Sequence, residues 1–255
     1  MKAAMLFLAM VGFNAQAMAF GRMADVQVLD RTTGETLQVY QHDGRRYIVG
    51  EPGHEYQLSL TSREGGRLMA IGSVDGVNIV SGETAAVNQG GYVLAPREQM
   101  AINGWRTSMR ATAAFYFTTV ADSYAARTGR PDDLGVIGFA LFREKSHCCA
   151  FWRGNELEKK SRAESDSSAD APASSASEAG ALGQKDERVG TGYGRSEYSE
   201  VAYTDFEPAS SSPDETITLY YDSYRNLCKQ GVIPARPKSG WHRPQPFPGG
   251  FVPAP

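Results

Sequence analysis

The sequence predicts an all-β fold: an antiparallel β-sandwich or barrel of about eight strands, with a docked C-terminal hairpin and a short helix. Turn signals recur about every eight to twelve residues between residues 24 and 145. No stretch of about fifteen residues in that part has the apolar stripe of an amphipathic helix. Residues 113–117 and 136–142 are apolar on both faces, which is typical of central strands covered on both sides.

The N-terminus has the pattern of a secretory signal. Lys2 precedes an apolar run over residues 3–13, and small-residue cleavage sites follow at residues 15–17 and 17–19. The apolar run is shorter than the roughly 20 residues that a transmembrane helix needs. We therefore expect a signal peptide at residues 1–19 and a mature protein that is periplasmic or secreted, without a transmembrane span.

Short alternating runs fill residues 22–152, the predicted sandwich domain. The expected strands lie at residues 26–28, 36–41, 45–49, 56–60, 67–74, 77–80, 92–94, 99–102, 113–118 and 136–142. Two of the intervening turns, Asp43-Gly44 and Asp75-Gly76, have the residue pair that two-residue hairpins prefer. The turns therefore indicate antiparallel pairing between neighbouring runs.

The composition changes at residues 153–200, where Ser, Ala and acidic residues dominate. Residues 165–177 contain too little apolar surface to offset the entropy of ordering them. The glycine-rich residues 190–194 continue this composition, and neither an apolar strand nor a helix flanks them as a phosphate-binding loop would require. We expect residues 153–200 to be a disordered linker.

Residues 201–233 return to an ordered pattern. Residues 201–206 and 216–221 alternate as two strands, and Asp222 is a suitable N-cap for a helix over residues 223–230. Two strands and a two-turn helix are too small to be stable alone. We therefore expect this hairpin and helix to dock on the sandwich.

A disordered proline-rich tail is predicted at residues 234–255, and all of its charged side chains are basic. Such a tail can contact anionic envelope polymers or a partner protein, although many tails of this kind are only solvated. The formal net charge of the chain is −3, which argues against a nucleic-acid partner.

Cysteine and histidine usage leaves two interpretations. In an oxidising compartment, Cys148 or Cys149 can form a disulfide with Cys228 across the linker. Alternatively, His147 and the three cysteines offer soft ligands for zinc or cuprous copper. Adjacent cysteines point in different directions on an extended chain, so we favour the disulfide or idle thiols. We expect no metal site and no other cofactor. A lipid anchor would need a cysteine at the cleavage site, and Cys148 is the first in the chain.

No catalytic signature is present. The chain lacks a G-x-S-x-G elbow, and His54-Glu55 lacks the second histidine of an H-E-x-x-H motif. His42 lies beside the Asp43-Gly44 turn and His54 follows a Pro-Gly break, and we expect both on solvent-facing loops. The sequence therefore names no catalytic residue.

Two loops are the candidate ligand-binding surface. An exposed Trp105 beside Arg106 would make a platform for sugar stacking, whereas a buried Trp105 would close the end of the sandwich. The loop at residues 122–131 carries Tyr124, Arg127 and Arg130, which suit bidentate recognition of a carboxylate or phosphate. The alternative, which we favour, is that these arginines pair with nearby acids and cap free carbonyls.

Several strings resemble a family of exported proteins of Gram-negative bacteria that has no established activity. They are SVDGVNIVSGET at residues 73–84, GYVL at 91–94, GWR at 104–106 and SYAARTGRP at 123–131, with a weaker match at residues 213–234. The resemblance implies an extracytoplasmic protein and implies no particular activity.

Three hypotheses for function remain. The leading one is a non-enzymatic, envelope-associated binding or structural protein that uses the two candidate loops. The second is an extracytoplasmic hydrolase whose acids and arginines converge only in the fold; burial of Asp122, Asp132 or Glu83 beside Arg127 or Arg130 in a cleft would favour it. The third is an assembly protein that acts through the basic proline-rich tail.

Overall fold

The computed structural model describes residues 21–146 and 188–234, which form two β-sheets around a common hydrophobic core. The predicted β-sandwich with a short C-terminal helix is confirmed. The predicted signal peptide, residues 153–187 of the predicted linker and residues 235–255 of the predicted tail lie outside the described residues. None of the helices in the described ranges is long and apolar enough to span a membrane.

Sheet A has six strands, and β8 and β9 fill the wedge where β4 and β10 diverge. The order is β1-β4-β10-β12, with β8 paired to β4 and β9 paired to β10, all antiparallel. The strands are β1 (Ala24–Asp30), β4 (Glu55–Ser62), β8 (Gln99–Ile102), β9 (Gly104–Ser108), β10 (Ala111–Thr119) and β12 (Val189–Tyr198).

Sheet B has seven strands in the order β2-β3-β13-β11-β5-β6, and β7 also pairs with β5. The pairing of β13 with β3 is parallel, and the other pairings are antiparallel. The strands are β2 (Tyr40–His42), β3 (Arg45–Val49), β5 (Leu68–Val74), β6 (Val77–Asn78), β7 (Tyr92–Leu94), β11 (Val136–Arg143) and β13 (Glu215–Asp222). The helices are α1 (Tyr124–Arg127) and α2 (Tyr224–Lys229).

The two predicted hairpin turns are present. Asp43-Gly44 joins β2 to β3, and Asp75-Gly76 joins β5 to β6. All four residues have positive φ, between 46° and 72°. This is the backbone conformation of a type I′ turn, which an aspartate followed by glycine adopts at low cost. The turn chemistry therefore predicted these pairings correctly.

The core lies between the sheets and is rich in aromatic side chains. The fully buried ring of Tyr56 stacks on Phe115 at 5.2 Å and on Phe117 at 4.3 Å between ring centroids. Burying one such ring contributes roughly 2–3 kcal/mol through the hydrophobic effect. The doubly apolar residues 113–117 and 136–142 lie within β10 and β11, which have neighbouring strands on both edges, as predicted.

β12 corrects the predicted boundary of the linker. Residues 189–198, expected to be disordered, form this strand along β10. Their glycines were interpreted as loop residues, but they permit close approach instead. A Cβ on Gly192 would lie 2.2 Å from Cζ of Tyr116, and one on Gly190 would lie 2.7 Å from Cβ of Ser123. The ring of Tyr116 occupies the space that a side chain at position 192 would need.

The C-terminal segment differs in detail from the predicted docked hairpin. Its second predicted strand is β13, which lies between β3 and β11 inside sheet B. Residues 201–207 form no strand. α2 follows as predicted, although its N-cap is Ser223, whose hydroxyl accepts from the N–H of Asn226. The segment is therefore part of the sandwich and not an addition to it.

Candidate functional site

A groove opens at one edge of the sandwich, where the two sheets separate. The sheets meet at a backbone hydrogen bond of 2.8 Å from Arg106 N, in β9, to Ile79 O, just after β6. Beyond that bond, β7 and β9 diverge around a cavity of about 850 Å³. Its apolar lining comprises Val80, Tyr92, Val93, Met100, Met109 and Val201.

A segment of irregular chain, residues 199–208, forms the outer wall of the groove, and we call it the strap. At one end, Ser199 N and Val201 N donate to carbonyls of the β9–β10 turn at 2.9 Å each. At the other end, Arg67 Nη2 donates to Thr204 Oγ1 at 3.0 Å and to the carbonyl of Asp205 at 2.7 Å. The strap is therefore fixed at both ends.

Arg106 holds the strap against the groove. Its Nη1 donates to Ser199 O at 2.5 Å and to Ser108 O at 3.3 Å, and its Nη2 donates to Ser199 Oγ at 3.0 Å. Nε and Nη2 also donate to the hydroxyl of Tyr92, at 3.3 and 3.1 Å. Every nitrogen of the guanidinium thus has a partner within the chain. Arg106 shapes the groove and leaves no unpaired fork for a ligand anion.

Tyr203 is the most exposed large side chain at this site. It lines the groove from the strap, yet 92% of its surface is accessible to solvent. Exposed tyrosine rings supply contact area at a low cost in side-chain entropy, which is why they are frequent at binding surfaces. Nothing in the local sequence singles out Tyr203, because its role depends on the distant β9–β10 turn.

Trp105 faces away from the groove, because successive side chains of a strand point to opposite faces. It is buried, only 2% exposed, and its Nε1 donates to Gly192 O at 3.2 Å. Its ring packs edge-on against Phe115 at 5.2 Å and lies 4.9 Å from Tyr124. Trp105 is therefore a core residue, the second of the two predicted possibilities, and offers no exposed surface for sugar stacking.

The remaining candidate residues lie around α1. Tyr124 is half-buried, and its ring centroid lies 5.5 Å from that of Tyr193, a residue that is 47% exposed. Arg127 is exposed, and none of its side-chain atoms has a partner in the described ranges. Both terminal nitrogens of Arg130 donate to Gly82 O, at 3.2 and 3.1 Å. Arg130 therefore caps a carbonyl, and the predicted surface separates into a groove around Arg106 and an aromatic pair formed by Tyr124 of α1 and Tyr193 of β12.

The hydrolase hypothesis gains no support from the acids near α1. Asp122, Asp132 and Glu83 are all exposed and are not buried beside Arg127 or Arg130 in a cleft. Instead, Asp122 accepts from the hydroxyl of Thr119 at 3.1 Å.

A histidine–aspartate pair was missed from the sequence. His54 Nδ1 lies 2.7 Å from Oδ2 of Asp30, which is only 5% exposed. Although burial acts to raise it, hydrogen bonds from His54, Thr33 and Thr32 hold the pKa of Asp30 below its ordinary value. In the described ranges, no serine, threonine or cysteine side chain is hydrogen-bonded to His54. The pair therefore ties the β1 turn to β4 and does not form a nucleophile–base arrangement.

A buried polar network joins the sheets, and Asp75 is its terminus. Oδ1 of Asp75 accepts from Gly135 N at 2.8 Å, and Oδ2 accepts from Thr191 N at 2.7 Å. The hydroxyl of Tyr221 also donates to Oδ1, and the hydroxyl of Thr191 lies 2.7 Å from both Tyr221 Oη and Tyr56 Oη. Burial raises the pKa of Asp75 to about 6, against the opposing effect of these hydrogen bonds.

Of the cysteines in the predicted disulfide, one lies within the described residues. Cys228 is half-buried on α2, whereas Cys148, Cys149 and His147 lie outside the described residues. The disulfide therefore stays a prediction. In the part of the chain that the structure describes, no three His, Cys, Asp or Glu side chains are grouped so as to hold a metal ion.

The string at residues 73–84 forms the β5–β6 turn and the loop that follows it. Asn78, which is fully buried, organises that loop: its Oδ1 accepts from Val80 N at 2.7 Å and its Nδ2 donates to Gln89 Oε1 at 2.9 Å. Comparison with protein-family models, with curated proteins and with solved structures gives no match. Function is therefore inferred from the geometry of this chain.

Proposed function

We propose that the chain is an exported, envelope-associated binding protein without catalytic activity, and that its ligand lies in the groove between β7 and β9. The observation that carries this proposal is the groove of about 850 Å³, which leaves apolar side chains of both sheets open to solvent. Cavities of this size with an apolar lining and few polar groups are the usual form of ligand sites.

The polar groups at the groove favour binding over catalysis. Arg106 has partners for all of its nitrogens within the chain. Glu200 accepts from the hydroxyl of Tyr198 at 2.7 Å and lies 3.7 Å from Arg110. A general acid or base must be within reach of the proton that it transfers and have a pKa suited to the transfer. These paired charges instead fix the walls of the site.

Export is supported by the leader at residues 1–19 and by the resemblance to exported proteins of Gram-negative bacteria. A periplasmic or secreted protein meets envelope polymers and other exported proteins. We therefore propose that the ligand is envelope material, and the apolar groove favours an uncharged part of it.

A photo-crosslinking experiment tests the site. A benzoylphenylalanine replaces Tyr203, on the rim of the groove, and the variant is expressed with its leader in a Gram-negative host. A second variant carries the same group at Tyr224, which is 47% exposed on α2 at the opposite edge of sheet B. We expect crosslinks to envelope material from position 203 and none from position 224.

A blocking substitution completes this test. Met109→Arg places a long charged side chain in the groove and should abolish crosslinking from position 203. Equal crosslinking from positions 203 and 224, or crosslinking that Met109→Arg leaves unchanged, would show that the groove is not the binding site. The conservative variant Met109→Leu keeps the apolar lining and should crosslink like the parent.

A further inference from the structure

The backbone of β5 shows which edge of sheet B faces the groove. Gly72 O accepts from Ile79 N at 3.1 Å, so its carbonyl points toward the β6 and β7 side. Arg67 O accepts from Glu144 N at 3.3 Å. Glu144 directly follows β11, so the carbonyl of Arg67 points to the opposite side, toward β11. Backbone groups alternate in direction along a strand, so the even-numbered residues of β5 point toward β7.

The register of β7 shows which of its backbone N–H and C=O groups do not pair with β5. Leu68 and Ala70 are opposite Leu94 and Tyr92, which therefore form the hydrogen-bonded pairs with β5. Val93, between them, has its N–H and C=O directed away from β5. β7 pairs with no other strand in the described residues, and neither group of Val93 has a partner there. Val93 also lines the groove, so this free edge of β7 lies at the groove.

The free edge is short and has a defined end. Gly91 also lines the groove but lies just before β7, and a Cβ there would be only 2.4 Å from Ala70 O, so the regular strand edge begins at Tyr92. After β7, the N–H of Ala95 is capped by the carboxylate of Glu98 at 2.6 Å, which closes the edge. The outward N–H and C=O of Val93 match the pair of hydrogen bonds that one residue of an added strand makes with its neighbour.

The charges at the groove limit what can bind there. Arg106 is paired within the chain, and Glu200 contacts Tyr198 and Arg110, so a charged segment would lose water and compete with these partners for a counter-charge. Met100 and Met109 are flexible and can adapt to apolar side chains of different shapes.

We infer that the groove binds an extended, uncharged peptide segment of a partner protein, which adds to the outer edge of β7 as a further strand. This inference depends on the proposed function and names the ligand class. Main-chain hydrogen bonds to Val93 supply register, and apolar side chains on one face of the peptide contact the methionines.

The test begins with a display library of octapeptides that lack charged residues and proline, selected on the purified protein. The selected peptide is then synthesised in two forms, N-methylated at its odd or at its even positions. A strand pairs through alternate residues only, so one form should bind about tenfold more weakly or worse and the other within about twofold of the parent. Fluorescence anisotropy of labelled peptides measures the difference.

Two variants of Val93 test the same edge from the protein side. Val93→Pro removes the outward N–H, and proline is tolerated at such an edge because pairing with β5 uses the neighbouring residues. Val93→Thr keeps the N–H and the branched shape. We expect binding about tenfold weaker for the proline variant and nearly unchanged for the threonine variant, with thermal melts confirming that both fold. If the proline variant does not fold, the N-methylated peptides still test the edge, because they bind to the unmodified protein.

Equal binding of the two methylated peptides, equal affinity of the two variants, or failure to select any peptide would overturn the inference. In each of these cases, crosslinking of position 203 to a saccharide would leave the proposed function standing with a different ligand. If position 203 gives no crosslink and no peptide binds, the proposed function is overturned as well.

Discussion

The hydroxyl of Tyr221 donates a 2.6 Å hydrogen bond to Oδ1 of Asp75 inside the core of the sandwich. Because that proton is committed to Asp75, the hydroxyl of Thr191 must donate to Tyr221, and the hydroxyl of Tyr56 must donate to Thr191. The four side chains form a directed chain of hydrogen bonds that ends on a buried carboxylate. It connects β4 and β12 of sheet A with β13 and the β5–β6 turn of sheet B.

The titration of Asp75 should make stability depend on pH. The pKa of Asp75 is about 6 in the folded chain and has its ordinary value of 3.8 when exposed. The folded state therefore binds this proton more tightly. The stabilisation that comes from protonated Asp75 is complete below about pH 4. It is lost as the pH rises through about 6, and the free energy of unfolding then falls by roughly 3 kcal/mol. Tyr221 and Tyr56, with pKa values raised well above 10, stay protonated throughout.

Urea unfolding of the wild type and of Asp75→Asn between pH 4 and pH 7 measures this effect. The amide does not titrate, so the free energy of unfolding of the wild type should fall by roughly 2.5 kcal/mol relative to the variant across that range. Asp122→Asn, at an exposed carboxylate, serves as the control and should track the wild type. Parallel curves for the wild type and Asp75→Asn would contradict the prediction.

Thr191→Val tests the centre of the hydrogen-bond chain. Valine has nearly the same shape but leaves the buried hydroxyl of Tyr56 without an acceptor, at a cost of about 1–3 kcal/mol. Thr191→Ser keeps the hydroxyl and loses one methyl group, at about 1 kcal/mol. Chemical denaturation should therefore rank valine as the more destabilising change. The reverse order would mean that packing, and not the hydrogen bonds, is the main role of Thr191.

Gly192→Ala tests why β12 is rich in glycine. The new methyl group would lie 2.2 Å from the ring of Tyr116, and displacing that ring should cost about 1–3 kcal/mol. In a Tyr116→Ala background the same change should cost much less. A double-mutant cycle of the free energies of unfolding measures this difference. Gly65→Ala is the matched control, because a Cβ there meets nothing within 4 Å. Equal costs of Gly192→Ala in both backgrounds would exclude the proposed contact.

The sequence predicted the sandwich because the signals for it act locally: alternating runs of apolar and polar residues, and two Asp-Gly turns. β12 was missed because the glycine signal is ambiguous; Gly192 is required by the ring of Tyr116, which is distant in the sequence. The groove was missed for the same kind of reason. Arg106 was named as a candidate, but its partner Ser199 lies 93 positions away, and no local pattern indicates that contact.

The leader can be tested by N-terminal sequencing of the mature protein. The small residues at positions 15–19 predict cleavage after Ala17 or after Ala19. We expect the protein in the periplasmic or culture fraction of a Gram-negative host, beginning at Met18 or Phe20. Replacing Ala17 by a bulky residue removes the small residue that both sites share and should block processing. Retention of the intact N-terminus in the cytoplasm of the wild type would contradict the predicted export.

Arg106→Met should release the strap. The side chain keeps its length and apolar stem but loses its donors to Ser199 and to the hydroxyl of Tyr92. The backbone N–H groups of Ser199 and Val201, which bond the β9–β10 turn, should then exchange with solvent at least about tenfold faster, because local opening costs less free energy.

Hydrogen exchange measured by NMR distinguishes this local effect from general loss of stability. Amides of β10 and β11, in the middle of the sheets, should exchange at nearly the wild-type rate. Arg127→Met is the matched control, because that exposed side chain has no partner in the described ranges. If Ser199 and Val201 keep their protection in Arg106→Met, the turn alone holds the strap. If all amides accelerate together, Arg106 supports the whole sandwich and not only the wall of the groove.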